Sequence, residues 1–300
     1  MTCFHPLQAF QCSDGSVVFV DNLRRNDVVR SLSLPCGQCI GCRLARSRMW
    51  AMRCMHEASL YKANSFITLT YSDEFLPDRG RLEYPDFQKF MKRLRKRAGS
   101  DVRFYMCGEY GPENWRPHYH ALLFGFDFAD KRYSCRTGSG EKVFSSNLLS
   151  ALWPYGYTSV GAVTFESAAY VARYCVQKVT GDAADEHYKR YDMLGEYNLP
   201  PEFNHMSLKP GIGARWFDKY KSDVYNHDYV VINGKECAAP KYYDKLFSRE
   251  FPEDLETIKH VRESRGRAHY QDNTPERLAV KEIVQRARMS QLHRSEFHGV

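Results

Sequence analysis

The sequence has no apolar run long enough to cross a bilayer. Its longest, such as Ser16–Val20 and Ala121–Phe124, span a few residues where about 20 are needed. A secretory leader is not expected either, because Cys3, His5, Gln8 and Gln11 interrupt the apolar character of the first residues. Both absences point to a cytosolic protein. Low-complexity linkers and internal repeats are lacking, so no repeat architecture is expected. No Walker A sequence occurs, which leaves the chain without a phosphate-loop motor of its own. A disulfide framework is missing in a subtler way. There are ten cysteines, but Cys3, Cys12, Cys54, Cys107, Cys135, Cys175 and Cys237 are scattered and no export signal accompanies them.

What is present fits an ordinary globular protein. The chain of 300 residues is 43% apolar and 26% charged, enough for one large domain or two modest ones with a sizeable core. Its net charge of +7 suits an acidic partner. The charge is clustered: Lys89, Lys92, Arg93, Arg95, Lys96 and Arg97 crowd one stretch, and Arg43, Arg46, Arg48 and Arg53 another. Such clusters also arise as solvated helix faces.

The first 35 residues mix short apolar runs with turn residues and read as strands or loops. A helix is expected over about 43–62, and Phe66–Tyr71, rich in β-branched and aromatic residues, reads as a buried strand. Residues 85–97 give the clearest helix, with Phe87, Phe90, Met91 and Leu94 forming one apolar stripe. Lys89, Lys92, Arg93 and Lys96 fall on the opposite side as a band of cations suited to phosphates. Arg103–Glu109 and His118–Phe126 read as two strands joined by a loop, Tyr157–Phe165 as another strand, and about 167–179 as a helix. Residues 180–270 read as mixed and loop-rich. A last helix starts at Thr274, a good N-cap, followed by Pro275. Strands pairing locally, with helices between them, predict an α+β fold on a central antiparallel sheet with flanking helices.

Three constellations carry chemistry. His118 and His120 are two apart on a strand, so their imidazoles share a face and suit one metal ion. Glu109, on the neighbouring strand, is the natural third ligand, and Glu113 in the loop is the runner-up. Two histidines and a carboxylate leave coordination positions open for a phosphate oxygen and suit Mn²⁺ or Mg²⁺. A His-x-His pair on a strand also occurs without any metal.

The second constellation is the segment Ala169–Lys178. Wound as a helix, it puts Tyr170, Arg173, Tyr174, Gln177 and Lys178 on one polar side, and Ala168, Val171, Ala172, Cys175, Val176 and Val179 on the other. Tyrosines at this spacing usually fill cores, yet here the apolar stripe is complete without them. A tyrosine with a pKa near 10 holds little phenolate at neutral pH, so attack on a phosphodiester gains from a metal and from cations such as Arg173 and Lys178. The third constellation is the C-x-x-C-x-x-C run Cys36, Cys39 and Cys42, a candidate structural zinc site. Its fourth ligand is open among Cys3, His5, Cys12 and Cys54, and free reduced thiols are the alternative.

These residues resemble a known family. His118-Tyr-His120 matches the histidine–hydrophobe–histidine motif of HUH endonucleases, and Phe66–Tyr71 is similar to the upstream strand motif of rolling-circle initiators. Tyr170-Val-Ala-Arg-Tyr174 looks like the paired-tyrosine motif of phiX-like gene A proteins. Pro35–Arg43 and Arg116–His120 look like the replication initiators of gokushoviruses, a group of Microviridae. The resemblance spans about residues 35–220. One departure is that Arg173 and Gln177 stand where the family has lysines, with Lys178 beside the second.

The resemblance implies an HUH (RRM-like) palm and an enzyme that nicks the viral plus-strand origin. One tyrosine would hold the 5′ end as a phosphotyrosyl link, and the second would help to release a circle. It also implies melted or single-stranded origin DNA, a host helicase and a host DNA polymerase as partners, no membrane, and the host bacterial cytoplasm as the location. On this reading residues 1–62 are an N-terminal region with the cysteine cluster, 63–180 the nickase core, and 181–300 a mixed, basic region packed on or extending it. The rival readings are a non-catalytic origin-binding protein, a structural virion protein, and an HUH relaxase or transposase.

Overall fold

The computed structural model describes residues 3–19, 27–111, 114–173, 178–179, 181 and 183–292. The chain divides into two compact units, residues 1–46 with 253–294, and residues 47–252 with 295–300.

The first unit holds a three-stranded sheet in the order β2-β1-β3, from β1 (Leu7–Cys12), β2 (Val17–Val18) and β3 (Val28–Leu34). It also contains the start of α1 (Ile40–Ala58), nearly all of α8 (Pro252–Ala268), and α9 (Pro275–Leu292). Thr274 caps α9 as expected, its Oγ1 accepting from the Arg277 N–H at 3.4 Å. His5 and Glu282 pair at 2.6 Å and join the two ends of the chain.

The second unit is built on a seven-stranded antiparallel sheet, so the expected α+β class and central antiparallel sheet are what the fold shows. Its strands are β4 (Asn64–Tyr71), β5 (Arg103–Tyr110), β6 (Pro117–Phe124), β7 (Arg132–Arg136), β8 (Lys142–Ser145), β9 (Gly156–Gly161) and β12 (Phe203–Met206), in the order β12-β5-β6-β4-β9-β8-β7. Period-two alternation gives the sheet two different faces. One face presents Ile67, Leu69, Met106, Tyr119, Ala121 and Leu123 to α2 (Tyr84–Ala98) and α3 (Asn147–Leu152). The stripe read from sequence, Phe87, Phe90, Met91 and Leu94, is buried there, and each large side chain contributes roughly 2 kcal/mol. The other face presents Phe66, Tyr105, Cys107, Leu122 and Phe124 to the later part of α1 and to α4 (Phe165–Ala172).

Two expectations need correction. The strand expected over Tyr157–Phe165 stops at Gly161, and Phe165 instead opens α4. The cause is a reciprocal cap: Thr164 Oγ1 accepts from the Ser167 N–H, and Ser167 Oγ accepts from the Thr164 N–H. The region 180–270 is also more regular than its sequence suggests. It contains α5 (Ala183–Tyr188), the hairpin β10 (Lys189–Asp192) and β11 (Gly195–Asn198), α6 (Ala214–His227), the hairpin β13 (Val230–Ile232) and β14 (Lys235–Cys237), and α7 (Lys241–Phe247). No helix among the described residues is long and apolar enough to cross a membrane.

Candidate metal and nucleophile site

The site lies on the α4 face of the sheet. Register pairs Glu109 with His118 across β5 and β6, and Thr68 with His120 across β4 and β6. Alternation then puts Glu109, His118 and His120 on one face, and their ligand atoms all lie within 4.8 Å of one another. His118 Nε2 is 3.2 Å and His120 Nε2 3.0 Å from the same oxygen, Glu109 Oε1.

Neighbours set the orientation of both rings. The Arg116 carbonyl accepts from His118 Nδ1 at 3.0 Å, which places that ring's proton outward and its Nε2 inward. Thr68 Oγ1 lies 2.9 Å from His120 Nδ1, and the Phe66 ring stacks on His120 at 5.7 Å. Arg116 is itself held, through guanidinium bonds to the Tyr71 carbonyl and to Asp73. The loop after Glu109 is pinned by Trp115, whose ring lies 3.7 Å beneath the Arg190 guanidinium.

Electrostatics follow from burial and proximity. Burial alone would raise the Glu109 pKa, but hydrogen bonds from His118 and His120 and their charge hold it well below the usual carboxylate range. Burial also opposes charge on His118, yet the bond to Glu109, its negative charge and the Arg116 carbonyl together raise that pKa. At His120 burial dominates and the pKa is lowered, Glu109 offsetting only part of the penalty.

Helix α4 completes the arrangement. Ala168, Val171 and Ala172 are fully buried on its inner side, and Ser47 Oγ donates to the Ala169 carbonyl at 3.2 Å. Tyr170 therefore leans over the sheet, its hydroxyl donating to Glu109 Oε1 at 2.9 Å and lying 3.4 Å from His120 Nε2. The Arg173 guanidinium is 5.7 Å from the centre of the Tyr170 ring, and Lys178 is half-buried. Tyr174, Cys175, Val176 and Gln177 of the same expected helix, and the alternative ligand Glu113, lie outside the described residues. Beside His120 opens a cleft lined by Phe66, Thr68, Lys142, Ser159 and Thr164.

The structure thus brings together Glu109, His118, His120, Tyr170 and Arg173. It does not bring the basic helix to them. Lys89, Lys92, Arg93 and Lys96 sit on α2, which packs on the opposite face of the sheet. Lys89 pairs with Asp86 at 3.0 Å, and Arg93 Nε donates to the Leu152 carbonyl at 2.8 Å. Cys36, Cys39 and Cys42 belong to the first unit, where the fourth thiol gathered with them is Cys3. Of the other candidates for that place, His5 pairs with Glu282, and Cys54 lies in the core under α4.

Residues 64–179 match the model of a family described as replication-associated protein ORF2. The chain is 33% identical over 262 residues to replication-associated protein VP4 of Bdellovibrio phage phiMH2K, covering 84% of this chain and 79% of that one. It is 33% identical over 287 residues to replication-associated protein ORF2 of Spiroplasma virus 4, covering 88% and 86%. Replication-associated protein ORF4 of Chlamydia phage 1 is 29% identical over 234 residues, 75% of this chain and 56% of that one. No solved structure matches.

Proposed function

Because the chain belongs to the replication-associated proteins of phages, we propose that it initiates rolling-circle replication by nicking the viral plus-strand origin with a tyrosine. The observation that carries this reading is the Tyr170 hydroxyl 2.9 Å from Glu109, inside a three-ligand cluster with His118 and His120. The donor set, two imidazole nitrogens and a carboxylate converging on one point, fits Mn²⁺ or Mg²⁺. Glu109, His118 and His120 would hold the ion, which when bound draws charge from the scissile phosphate.

The remaining steps belong to the protein's own side chains. The Tyr170 proton leaves along its hydrogen bond to Glu109, and the adjacent Arg173 guanidinium favours the phenolate. Tyr170 Oη bonds to phosphorus, the bond to the 3′ oxygen breaks, and that oxygen takes a proton from solvent. The products are a 5′-phosphotyrosyl end and a free 3′ hydroxyl that can prime a host polymerase. The link preserves the energy of the phosphodiester, so rejoining needs no ATP. Tyr174 is the proposed second nucleophile, which attacks the regenerated origin and lets the first link close into a circle. Lys178 is a further candidate to assist that phenolate. A host helicase would open the duplex in the bacterial cytoplasm.

The test uses labelled single strands tiling the cognate phage genome, incubated with the protein and Mn²⁺ and resolved on a denaturing gel. A DNA-linked protein band should appear, vanish with EDTA, and be lost in His118→Ala and His120→Ala while most DNA affinity remains. Full cleavage by either variant removes the metal-site reading. Binding that survives EDTA with no adduct under any condition marks a non-catalytic origin-binding protein.

A further inference from the structure

We propose that Cys3, Cys36, Cys39 and Cys42 form a tetrathiolate zinc site that staples the segment before β1 to the first turn of α1. The four sulfurs lie within 4.8 Å of one another, and Cys39 Sγ is 3.9 Å from Cys3 Sγ. A tetrahedron with zinc–sulfur bonds of ~2.3 Å has edges of about 3.8 Å, so one small ion matches the spacing.

Backbone donors face these sulfurs. The N–H groups of Phe4, Cys36 and Cys39 donate to the sulfurs of Cys39, Cys3 and Cys36, each at 3.3 Å. Three such bonds stabilise thiolate charge, the form that binds a metal. The turn that aims them depends on Gly37, whose φ of +76° is strained for any residue with a side chain.

Other occupants fit less well. A disulfide brings two sulfurs to about 2 Å and leaves no role for a group of four held together. A four-iron cube, which the C-x-x-C-x-x-C spacing could also suggest, holds its thiolates farther apart than a single ion does. Simple apolar packing is too small an explanation, because the cluster gathers only Cys3, Cys39 and Cys42 with Phe4 and Cys36 at its edge.

The local fold gives the ion a task. Among the described residues of β1, β2 and β3, only Ala9 and Cys12 are buried. A sheet with so little core needs another source of stability, and a metal closing a loop of 33 residues between Cys3 and Cys36 supplies one. The site stands apart from the nicking reading, and either can fail alone.

The experiment begins with metal analysis of the full-length protein purified without added chelator. One tightly held zinc per chain is expected. Exchange with cobalt should give the intense visible absorption of a tetrahedral tetrathiolate. Cys3→Ser should lower zinc retention and shift that spectrum, whereas Cys12→Ser and Cys54→Ser should leave both unchanged. If the Cys3 variant does not fold, alkylation of the wild-type chain reads the same site. Cys3, Cys36, Cys39 and Cys42 should be protected until zinc is stripped, as mapped by mass spectrometry. Absence of zinc, iron in its place, or a protected set without Cys3 would overturn the assignment.

Discussion

His56 ties the stability of the fold to pH. Its ring stacks on Trp216 at 3.6 Å and its Nδ1 lies 2.8 Å from the Tyr243 hydroxyl. Burial lowers its pKa from 6.5 to about 4, so the folded protein holds this histidine neutral where an unfolded chain would protonate it. The stability it contributes is fully present above pH 6.5 and is lost as pH falls toward 4, in total about 3 kcal/mol. Urea unfolding across this window should show a steeper loss in the wild type than in His56→Phe, which keeps a stacking ring but cannot titrate. Identical pH slopes in the two proteins would count against the assignment. At this same scale the candidate ligand set is readable from sequence. The i, i+2 spacing of His118 and His120 fixes a shared face, and a short loop brings Glu109 opposite His118. Thr68 and Arg116, which orient the imidazoles, are not readable, because each acts through a hydrogen bond set by strand register or by a neighbouring turn. The tie between Glu57 and Arg103 at 2.6 Å is hidden for the same reason, as it crosses from α1 to β5.

At the scale of elements, α2 shows what periodicity can and cannot say. Its apolar stripe is legible from four residues, but which face of the sheet it covers is not, since both faces are apolar. The outcome matters for DNA, because the lysines of α2 stand on the far side of the sheet from Tyr170. They are proposed to meet backbone phosphates of flanking DNA rather than the strand at the site. Replacing Lys89, Lys92 and Lys96 with Gln should reduce the slope of log K against log salt for a long duplex-bearing substrate by about 0.7 to 0.9 per lost contact. Cleavage of a short single strand confined to the site should be unchanged. An unaltered slope on the long substrate would make this band a solvated surface only. Strand signals are weaker. The β13–β14 hairpin turns at Asn233-Gly234, with φ of 49° and 73°, and an Asn-Gly pair is a strong sign of such a turn. Its strands of three residues each are too short for alternation to register. The β10–β11 hairpin, with strands of four residues and Met193 and Leu194 at its tip, carries no comparable turn signal.

At the scale of the whole molecule, the first and last parts of the chain share one unit through pairs such as His5 with Glu282, and no local pattern encodes a contact 277 residues apart. The family motifs lie in the other unit, within residues 64–179, where local pairing builds the sheet. That is why the chemistry can be read from the sequence while the architecture around it cannot. The central claim is that Tyr170, and Tyr174 after it, carry the covalent link to DNA. The most direct measurement is mass spectrometry of the peptide that retains nucleotide after digestion of the trapped adduct. The nucleotide should lie on Tyr170 or Tyr174. Either single Phe substitution should leave some adduct but strongly reduce circular product, and the double substitution should abolish the adduct with folding and DNA binding retained. A nucleotide on Tyr188, Tyr191 or any other tyrosine, or an adduct that persists in the double variant, would contradict the account.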